Sequence, residues 1–219
     1  MDEKIEKMDE FFTNRLDLYE DHMLRNAEGV AEGYRQLVPY LPAGCRTLLD
    51  LGCGTGLELE EVFKACPNLS VTGIDMTQAM LDRLQSRYGD RSVRLICGNY
   101  LTVDFGIEVY DAALSFETLH HLTPQQKGAF YPRILRSLKP GGRYIEVDYM
   151  VLTQQEEDFG FSESTRMRAE QRIAHDEIVH IDTPCTVDNQ IELLRRAGFR
   201  DVKAVWRQGA TTLIIADRS

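Results

Sequence analysis

The sequence predicts an α/β fold with a mostly parallel sheet and helices on both of its faces. Between residue 47 and about residue 149, short apolar runs typical of buried strands alternate with stretches of helical periodicity. This alternation is typical of parallel sheets, because each parallel strand needs a crossover connection, usually a helix. The 219 residues are 43% hydrophobic and 27% charged, a composition that supports a full core and excludes a disordered chain.

Seven apolar runs are predicted to form strands. Five of them are apolar nearly throughout, as expected of strands that are buried on both faces. These five are Thr47–Leu51, Val71–Asp75, Val93–Cys97, Ala112–Phe116 and Tyr144–Asp148. The last two, Val202–Trp206 and Thr211–Ala216, are separated by a short turn that contains Gly209, so they are predicted to pair as an antiparallel hairpin at one edge of the sheet.

Helices are predicted in the gaps between these strands, where apolar residues recur at helical spacing. The apolar stripes are Leu59, Val62 and Phe63; Met80, Leu81, Leu84 and Tyr88; and Phe130, Ile134, Leu135 and Leu138. The third helix has the best-defined ends. Thr123 is predicted to cap it, with Pro124 at the first position and Gln126 completing a capping box, and Pro140 with the two glycines after it ends the helix.

Two more helices are predicted after the fifth strand. A polar stretch from about Ser162 to Val179 has a helical pattern. Thr186 is predicted to cap the next helix, which runs through Ala197 and ends at Gly198.

The first 40 residues are predicted to form a helical arm outside the sheet. Four large side chains of this segment share one helix face, at Phe12, Leu16, Tyr19 and Met23. We therefore divide the chain into an arm over residues 1–40 and a core domain over residues 41–219, with a helical insertion at about 150–185. Because the arm is amphipathic but has no strand of its own to cover, it is expected to act as a lid over the functional site.

Net charge and cysteine content exclude several classes of partner. The chain has 25 Lys and Arg against 35 Asp and Glu, a net charge of −10, so no nucleic acid is expected as a partner. No apolar run is long enough to span a membrane, and the N-terminus, MDEKIEKMDEFF, lacks the apolar stretch of a signal peptide. The five cysteines contain no C-x-x-C pair, so we expect reduced thiols and no zinc knuckle. Together these features predict a cytoplasmic location and no membrane partner.

A glycine-rich loop follows the first strand, in the segment LLDLGCGTGLE. Alternating glycines let backbone N–H groups approach a ligand at the carboxyl end of the strand, so the loop predicts a nucleotide site. The spacing is G-x-G-x-G, with Leu57 where the third glycine of a dinucleotide fingerprint belongs. Asp50 would repel a pyrophosphate but attract an ammonium group. Asp75 ends the next strand, where a carboxylate accepts ribose hydroxyls.

An ammonium-bearing nucleoside fits S-adenosylmethionine (SAM), and over residues 40–219 the sequence resembles the class I SAM-dependent methyltransferases of the small-molecule type. LLDLGCGTGLE is similar to the first motif of that family, GIDMT to the second and CGNY to the third. YDAALSFETLHHL is similar to the fourth motif, and LKPGGRYIEVD to the strand that follows it. The resemblance implies a Rossmann-like, seven-stranded sheet with an antiparallel last strand. It also implies SAM as cofactor, S-adenosylhomocysteine as product and a small-molecule acceptor.

The resemblance further implies which residues bind the cofactor. Met76 would pack on the adenine, with core packing as the alternative. Asn99 stands where many relatives have Asp, and its amide oxygen can still accept the adenine amino group. Plain packing is the alternative role for Cys53 and Tyr100. The full expected set is Asp50, Gly52, Cys53, Gly54, Gly56, Asp75, Met76, Asn99, Tyr100 and Phe116.

Candidate catalytic residues follow the fourth and fifth strands. A sulfonium already activates its methyl group, so alignment matters most and a general base is optional. The resemblance places Glu117 near the transferable methyl group. His120 and His121 are neighbours that are not expected to face one pocket together, so at most one is a functional candidate, with a structural role as the alternative. Asp148 shares a strand face with Glu146 and is better placed to touch substrate, with a solvated strand end as the alternative.

The arm and the insertion supply the remaining candidates. The insertion holds a basic island that could bind an anionic substrate group, although a solvated face with salt bridges to Glu170 and Glu177 is the alternative. The island consists of Arg166, Arg168, Arg172, His175 and His180. Its histidines lack a third ligand at a familiar spacing, so no metal site is expected. The complete expected catalytic set is Tyr19, Glu117, His120, Asp148 and His180.

Three other functions compete with methyl transfer. A degenerate relative could bind SAM without turnover, because the cofactor positions permit either role. A nicotinamide oxidoreductase is disfavoured by Leu57 and Asp50. RNA methylation is disfavoured by the acidic net charge and by the sequence SFET after the fourth strand, where an N-P-P-Y type motif would be expected. The acceptor and the oligomeric state are left open, because specificity is set by parts of the chain whose motifs do not transfer.

Overall fold

A seven-stranded sheet lies at the centre of the protein, whose computed structural model describes residues 4–174 and 177–219. The strands are β1 (Thr47–Leu51), β2 (Ser70–Asp75), β3 (Val93–Cys97), β4 (Tyr110–Phe116), β5 (Leu138–Tyr149), β6 (Arg200–Gln208) and β7 (Thr211–Asp217). Their order is β3-β2-β1-β4-β5-β7-β6. The pairs from β3 to β5 are parallel, whereas β7 is antiparallel to both of its neighbours. The predicted fold class and closing hairpin are confirmed.

Helices cover both faces of this sheet. The helices are α1 (Met8–Arg25), α2 (Val30–Gln36), α3 (Leu59–Ala65), α4 (Gln78–Tyr88), α5 (Pro124–Ser137), α6 (Gln154–Gln171) and α7 (Val187–Arg196). Short 3-10 turns occur at Val38–Tyr40 and Leu119–His121. The predicted capping box of α5 is confirmed, because the Thr123 side chain accepts from the Gln126 N–H and Gln126 accepts from the Thr123 N–H.

The core has two layers, one on each face of the sheet. On β1, Leu48 faces one layer and Leu49 the other, as the alternation of a strand buried on both faces requires. Helices α2, α3 and α4 pack in the first layer, and α5 and α7 in the second. All these apolar side chains are removed from water, which is the main stabilising contribution to such a fold.

The insertion helix differs from its prediction. We expected it from about Ser162 to Val179, but α6 begins at Gln154 and ends at Gln171. Thr153 and Glu156 form a capping box that starts the helix earlier, and Arg172, with a φ of 56°, ends it. The helix has few apolar residues, so periodicity alone located its ends poorly.

The carboxyl ends of the parallel strands meet at one edge of the sheet, where β1 and β4 lie side by side. The chain passes from β1 to β2 on one side and from β4 to β5 on the other, so the strand order reverses here, which is where open α/β sheets bind ligands. Helix α1 and the insertion lie over this edge. None of the helices in the described residues combines the length and apolar character of a bilayer-spanning segment.

Candidate functional site

The loop after β1 turns sharply, since Gly52 and Gly54 have φ values of 71° and 47°. A Cβ atom on Gly52 would overlap the side chain of Thr118, so this position excludes larger residues. A Cβ atom on Gly54 would instead point toward the hydroxyl of Tyr19, 3.4 Å away on the arm. The loop therefore brings the backbone of Gly54 directly under α1.

Asp75, at the end of β2, holds this loop in place. Its Oδ2 accepts a hydrogen bond from the N–H of Gly54 at 2.9 Å, and its Oδ1 accepts one from the N–H of Thr77 at 2.8 Å. Each carboxylate oxygen has a second lone pair, so Asp75 can still accept hydrogen bonds from ligand hydroxyls. Burial raises the pKa of Asp75, and the two backbone N–H groups oppose that rise.

Two buried carboxyl groups under the loop have oxygens that lack hydrogen-bond partners among the described residues. They are both oxygens of Asp50, which is 1% exposed, and Oε1 of Glu58, which is 6% exposed. Burial raises the pKa of Asp50, and the neighbouring Glu58 raises it further. Burial also raises the pKa of Glu58, to about 7. Unpaired buried carboxyls are costly, and a proton shared between Asp50 and Glu58, a cationic ligand group or a bridging water would satisfy them.

The first cavity lies between the glycine loop, the ends of β2 to β4 and the arm. Its volume is about 50 Å³, which is room for a few water molecules, because Phe12 and Tyr19 of the arm lie against it. Its acidic lining residues are Asp75 and Glu117, and the described residues around it include no Lys or Arg. Of the expected cofactor residues, those that line it are Gly52, Gly54, Asp75, Met76, Asn99, Tyr100 and Phe116.

Two aromatic side chains in this lining are well anchored. The ring of Phe116 packs against that of Tyr34, with centroids 4.4 Å apart, and the ring of Tyr100 packs against Phe130 at 5.1 Å. The amide oxygen of Asn99 already accepts a hydrogen bond from the N–H of Leu101 at 2.8 Å, so one of its two lone pairs stays available to a ligand.

Three expected cofactor residues do not line this cavity, and their roles stay predictions. Cys53 is 2% exposed and its sulfur faces Gly73 in β2, so it fills the bend, as the packing alternative proposed. A Cβ atom on Gly56 would meet the side chain of Leu84, so its role is to admit α4. Asp50 lies under the loop, where contact with a ligand in the cavity would need a bridging group. These three residues lie on the side of the loop that packs against the sheet and α4, not on the side that borders the cavity. The sequence alone does not show which loop residues face which side.

The second cavity is larger, about 620 Å³, and lies between the arm, the Leu119–His121 turn and the insertion. Its lining is aromatic on the arm side, from Phe11, Phe12 and Tyr19, and acidic opposite, from Glu117 and Asp182. It is also lined by Arg15, His22, Glu28, His120, His121, Tyr149 and His180. The guanidinium of Arg15 already pairs with Glu6 at 2.7 Å. The cavity therefore offers an aromatic wall and an excess of carboxylates.

Glu117 borders both cavities. It follows β4 directly and has a φ of 47°, a strained conformation for a non-glycine residue that is common at functional sites. Its Oε1 accepts a hydrogen bond from the Thr211 hydroxyl at 3.0 Å, and its Oε2 lies 3.7 Å from Nδ1 of His120. Burial and the nearby Asp148 raise the pKa of Glu117 to about 7.

His120 is oriented by Asp148, which ends the buried part of β5. Nδ1 of His120 lies 2.5 Å from Oδ1 of Asp148, whose Oδ2 accepts a hydrogen bond from the N–H of Leu119 at 2.9 Å. Burial disfavours the charged imidazole, but the carboxylates of Asp148 and Glu117 outweigh it and raise the pKa of His120 to about 9. Asp148 is 1% exposed and lines neither cavity. The predicted contact between Asp148 and substrate is therefore corrected to a positioning role.

His120 and His121 both line the second cavity, so the expectation that they do not share a pocket is wrong. They lie in a 3-10 turn, not a strand or an α-helix, and their rings are 4.0 Å apart. Asp182, from the insertion, lies beside both rings. No sequence signal marks Asp182, because the contact is made by the tertiary fold.

His180 connects the insertion to the arm. Its ring stacks on Phe11 with centroids 3.4 Å apart, and its backbone N–H donates to the carbonyl of Glu6 at 3.1 Å. Burial lowers the pKa of His180 to about 4, so the ring is neutral at pH 7. The arm, predicted as a separate element, is tied to the insertion by these contacts and by a short antiparallel bridge between Lys7 and Val179.

The basic island of the insertion is engaged elsewhere. Arg166 pairs with Glu163 and Glu170, which confirms the predicted salt bridge to Glu170. Arg168 donates to the carbonyls of Ala174 and Glu177. Arg166, Arg168 and Arg172 line neither cavity, and His175 lies outside the described residues. An anion site at this island therefore has no support in the described structure.

Comparison with known proteins agrees with this geometry. The family model described as "Methyltransferase domain" matches residues 48–142. Together with the relatives that follow, this match supports assignment of residues 48–142 to the class I SAM-dependent methyltransferases. The chain is 21% identical to the carboxy-S-adenosyl-L-methionine synthase of Campylobacter lari, over 93% of this chain and 92% of that protein. It is 32% identical to an uncharacterized methyltransferase of Bacillus subtilis, over 44% of this chain and 52% of that protein.

Solved structures share the fold of the methyltransferase domain. One is 1,6-didemethyltoxoflavin-N1-methyltransferase from Burkholderia thailandensis with bound S-adenosylhomocysteine, at a TM-score of 0.66 and 22% identity, covering 97% of this chain and 87% of that one. An O-methyltransferase family protein from the same organism has a TM-score of 0.69 and 21% identity, covering 94% and 60%. The chain spans just over half the length of several other solved relatives. The cofactor of this enzyme class is SAM, and the unpaired carboxyl oxygens of Asp50 and Glu58 fit its ammonium group through a bridging water.

Proposed function

We propose that this protein transfers a methyl group from SAM to a small-molecule acceptor bound in the second cavity, and that Glu117 takes the proton of the acceptor. The observation that carries the proposal is the position of Glu117, the one carboxylate among the described residues that borders both cavities. A base with a pKa near the working pH is the most effective, and the pKa of Glu117 is raised to about 7.

When bound, SAM supplies a methyl group that its positive sulfur has activated. The work of the chain is then to align the acceptor, exclude water and remove one proton. Asp75 and the loop glycines would hold the ribose and methionine parts, and Met76 would pack against the adenine. Tyr19 and Phe12 line both cavities, so they would shield the reacting atoms from water. The imidazole of His120, which Asp148 holds in place, would offset the negative charge of Glu117 on the side that faces the second cavity.

The charges around the second cavity favour a neutral or cationic acceptor. Glu28, Glu117 and Asp182 border it, whereas the two cations of its described lining, Arg15 and His120, are engaged by Glu6 and Asp148. An anionic acceptor would be repelled by the carboxylates. The aromatic lining from Phe12 and Tyr19 favours a flat or aromatic molecule. Oxygen and nitrogen nucleophiles are therefore the acceptors to test first, as phenols, alcohols and amines.

Formation of a carboxylated SAM is a second candidate, favoured by the near full-length similarity to the carboxy-S-adenosyl-L-methionine synthases of Campylobacter lari and Nautilia profundicola. A carboxylate on the transferable carbon would lie near Glu117. The described lining of the first cavity includes no Lys or Arg to offset that repulsion. Methyl transfer is therefore the function that we propose.

The experiment is an acceptor screen with methyl-labelled SAM. Purified protein is incubated with neutral and cationic phenols, alcohols and amines, and both S-adenosylhomocysteine and methylated product are measured, with Glu117→Gln as a matched variant. We expect turnover with at least one acceptor and a large loss in the variant while SAM still binds. SAM binding without turnover of any acceptor would instead indicate a silent SAM-binding module. A carboxylated SAM in the mass spectrum would indicate the synthase.

We further propose that the protein works in the cytoplasm on a small molecule and does not act on nucleic acid. The five cysteines are unpaired, which suits a reducing compartment. The net charge of −10 opposes binding to a phosphate backbone. A gel-shift assay with RNA and DNA, which should detect no complex at physiological salt, tests the second part.

A further inference from the structure

Three metal-ligating side chains converge on one point at the wall of the second cavity. His120 and His121 come from the turn after β4, and Asp182 comes from the insertion. Oδ1 of Asp182 lies 3.7 Å from Nε2 of His120 and 3.3 Å from Nδ1 of His121. The three donor atoms all lie within 4.8 Å of one another.

We propose that His120, His121 and Asp182 bind one divalent transition-metal ion at this wall. Bonds of about 2.1 Å to a tetrahedral ion place neighbouring donor atoms roughly 3.4 Å apart, close to two of the observed separations. Two imidazoles and one carboxylate suit zinc, cobalt or iron(II), whereas magnesium and calcium prefer oxygen ligands alone. Three protein ligands leave at least one coordination position open toward the second cavity.

The second ring nitrogen of His120 is held as it is in established metal sites. A metal-bound histidine usually gives its other ring N–H to a carboxylate, which fixes the tautomer and turns the free nitrogen to the metal. Nδ1 of His120 lies 2.5 Å from the buried Asp148, which leaves Nε2 facing Asp182. The orienting partner, Asp148, is not one of the three proposed ligands.

The two chain segments that carry the ligands are also fixed to each other. The backbone N–H and the hydroxyl of Thr183 both donate to the carbonyl of His120, at 2.7 and 3.0 Å. The residue next to Asp182 therefore anchors the histidine turn, so the ligands are held together before an ion arrives, which favours binding.

The ion would give the site a second function, and this part rests on the proposed methyl transfer. A hydroxyl on the acceptor that coordinates the open position would have its pKa lowered by the ion. Its proton would pass to Glu117, which borders the same cavity. The acceptor class would then narrow to molecules with a hydroxyl that can coordinate a metal.

The test is a titration of the chelator-treated protein with Co²⁺ and, separately, with Zn²⁺. We expect one ion per chain, with a visible cobalt spectrum of nitrogen and oxygen ligands and no thiolate-to-cobalt band, which separates this site from the free cysteines. Asp182→Asn and His121→Ala should each weaken binding at least tenfold. Asp148→Asn should weaken it by roughly 10- to 100-fold, as loss of an orienting partner does. His22→Ala, a histidine of the same cavity outside the cluster, should leave binding unchanged.

The proposal is wrong if the cobalt spectrum does not develop at one equivalent, or if Asp182→Asn and His121→Ala bind zinc as the wild type does. An ion pair between the histidines and Asp182 would then account for the cluster. Because Asp182 is exposed, Asp182→Asn is expected to fold normally, which circular dichroism checks. SAM affinity is measured in the same samples: if no metal binds while SAM binds normally, the metal site is rejected and the proposed methyl transfer stands.

Discussion

Asp75 is the residue on which we expect cofactor binding to depend most directly. It holds the loop through the N–H of Gly54 and borders the first cavity. Asp75→Ala is expected to weaken SAM and S-adenosylhomocysteine alike by tenfold to a hundredfold, since a lost charged hydrogen-bond acceptor costs about 1.5 to 3 kcal/mol. Calorimetry measures both affinities. Asp104→Ala, an exposed acid away from this cavity, is the control, and equal affinities in the two variants would contradict the assignment.

Glu117 is expected to set the pH dependence of methyl transfer. Only its ionised form accepts a proton, so the rate should rise as pH increases through about 7, its raised pKa. Glu117→Gln should remove this step and lower the rate by roughly 10²- to 10⁴-fold. Glu28→Gln removes another carboxylate of the second cavity and should leave the rise in rate through about pH 7 unchanged. An unaltered profile in Glu117→Gln would assign the proton transfer to another group.

At the scale of single elements, α1 carries the clearest dynamic consequence. Phe12 and Tyr19 lie against the first cavity, whose volume of about 50 Å³ is far too small for a nucleoside. Two salt bridges, Arg83 with Asp17 and Arg87 with Glu20, join the arm to α4. The carboxylate of Asp17 is exposed, so the first opposes movement only weakly, whereas the second is partly buried. The arm must shift for the cofactor to enter.

The arm is therefore expected to open for SAM and close over it. Its backbone amides, from about Phe11 to Tyr34, should exchange hydrogen more slowly when SAM is bound, because closure buries the face that includes Phe12 and Tyr19. Hydrogen exchange read by mass spectrometry tests this, with the amides of α7 as an internal control on the opposite face of the sheet. Equal protection of the arm with and without SAM would identify it as a fixed structural element.

The glycine loop is the second element with a direct test. Gly54→Val is expected to abolish SAM binding while the protein stays folded, because the branched side chain would stand between the loop and Tyr19. Gly44 has a similar φ of 74° but open space around it, so Gly44→Val carries the same backbone strain without touching the cavity. Calorimetry with SAM and circular dichroism compare the two. Normal SAM binding by Gly54→Val would show that the loop is only a structural turn and takes no part in binding.

Buried ionisable groups make the stability of the whole molecule depend on pH. Burial raises the pKa of Glu58, Glu117 and Glu146 to about 7 from an ordinary value of 4.5. Between those values the folded chain holds protons that the unfolded chain has lost, so stability falls as pH rises. His120 acts in the same direction between 6.5 and about 9. His180, with its pKa lowered to about 4, opposes the trend below 6.5.

The protein without SAM is therefore expected to melt at a higher temperature at pH 6 than at pH 8.5. Differential scanning calorimetry across this range measures the change. Glu146→Gln removes one of the raised groups far from the cofactor loop and should flatten the curve, while Glu60→Gln, on the exposed side of α3, should not. A melting temperature that rises with pH would mean that the carboxyls are ionised and satisfied in the fold.

Local patterns in the sequence were sufficient for the architecture. The apolar runs of β1 and β3, the cap at Thr123 and the glycine spacing after β1 depend on neighbouring residues alone, and their positions agree with the structure. Seven of the predicted cofactor residues also line one cavity, because the carboxyl ends of parallel strands must meet at one edge. The weakly apolar α6 was placed poorly, since few of its residues report a buried face.

The chemistry beside the cofactor was decided by tertiary structure. Asp182 meets His120 and His121 only because the insertion folds back over the end of β4, and no spacing rule connects such distant residues. Burial, which raises the pKa of Glu117 and leaves Asp50 without hydrogen-bond partners, is likewise a property of the assembled core. The sequence by itself therefore determined the sheet and the glycine loop, because the patterns that predict them involve neighbouring residues alone. The pairing of distant charged side chains, and the low dielectric around them, exist only once the chain has folded.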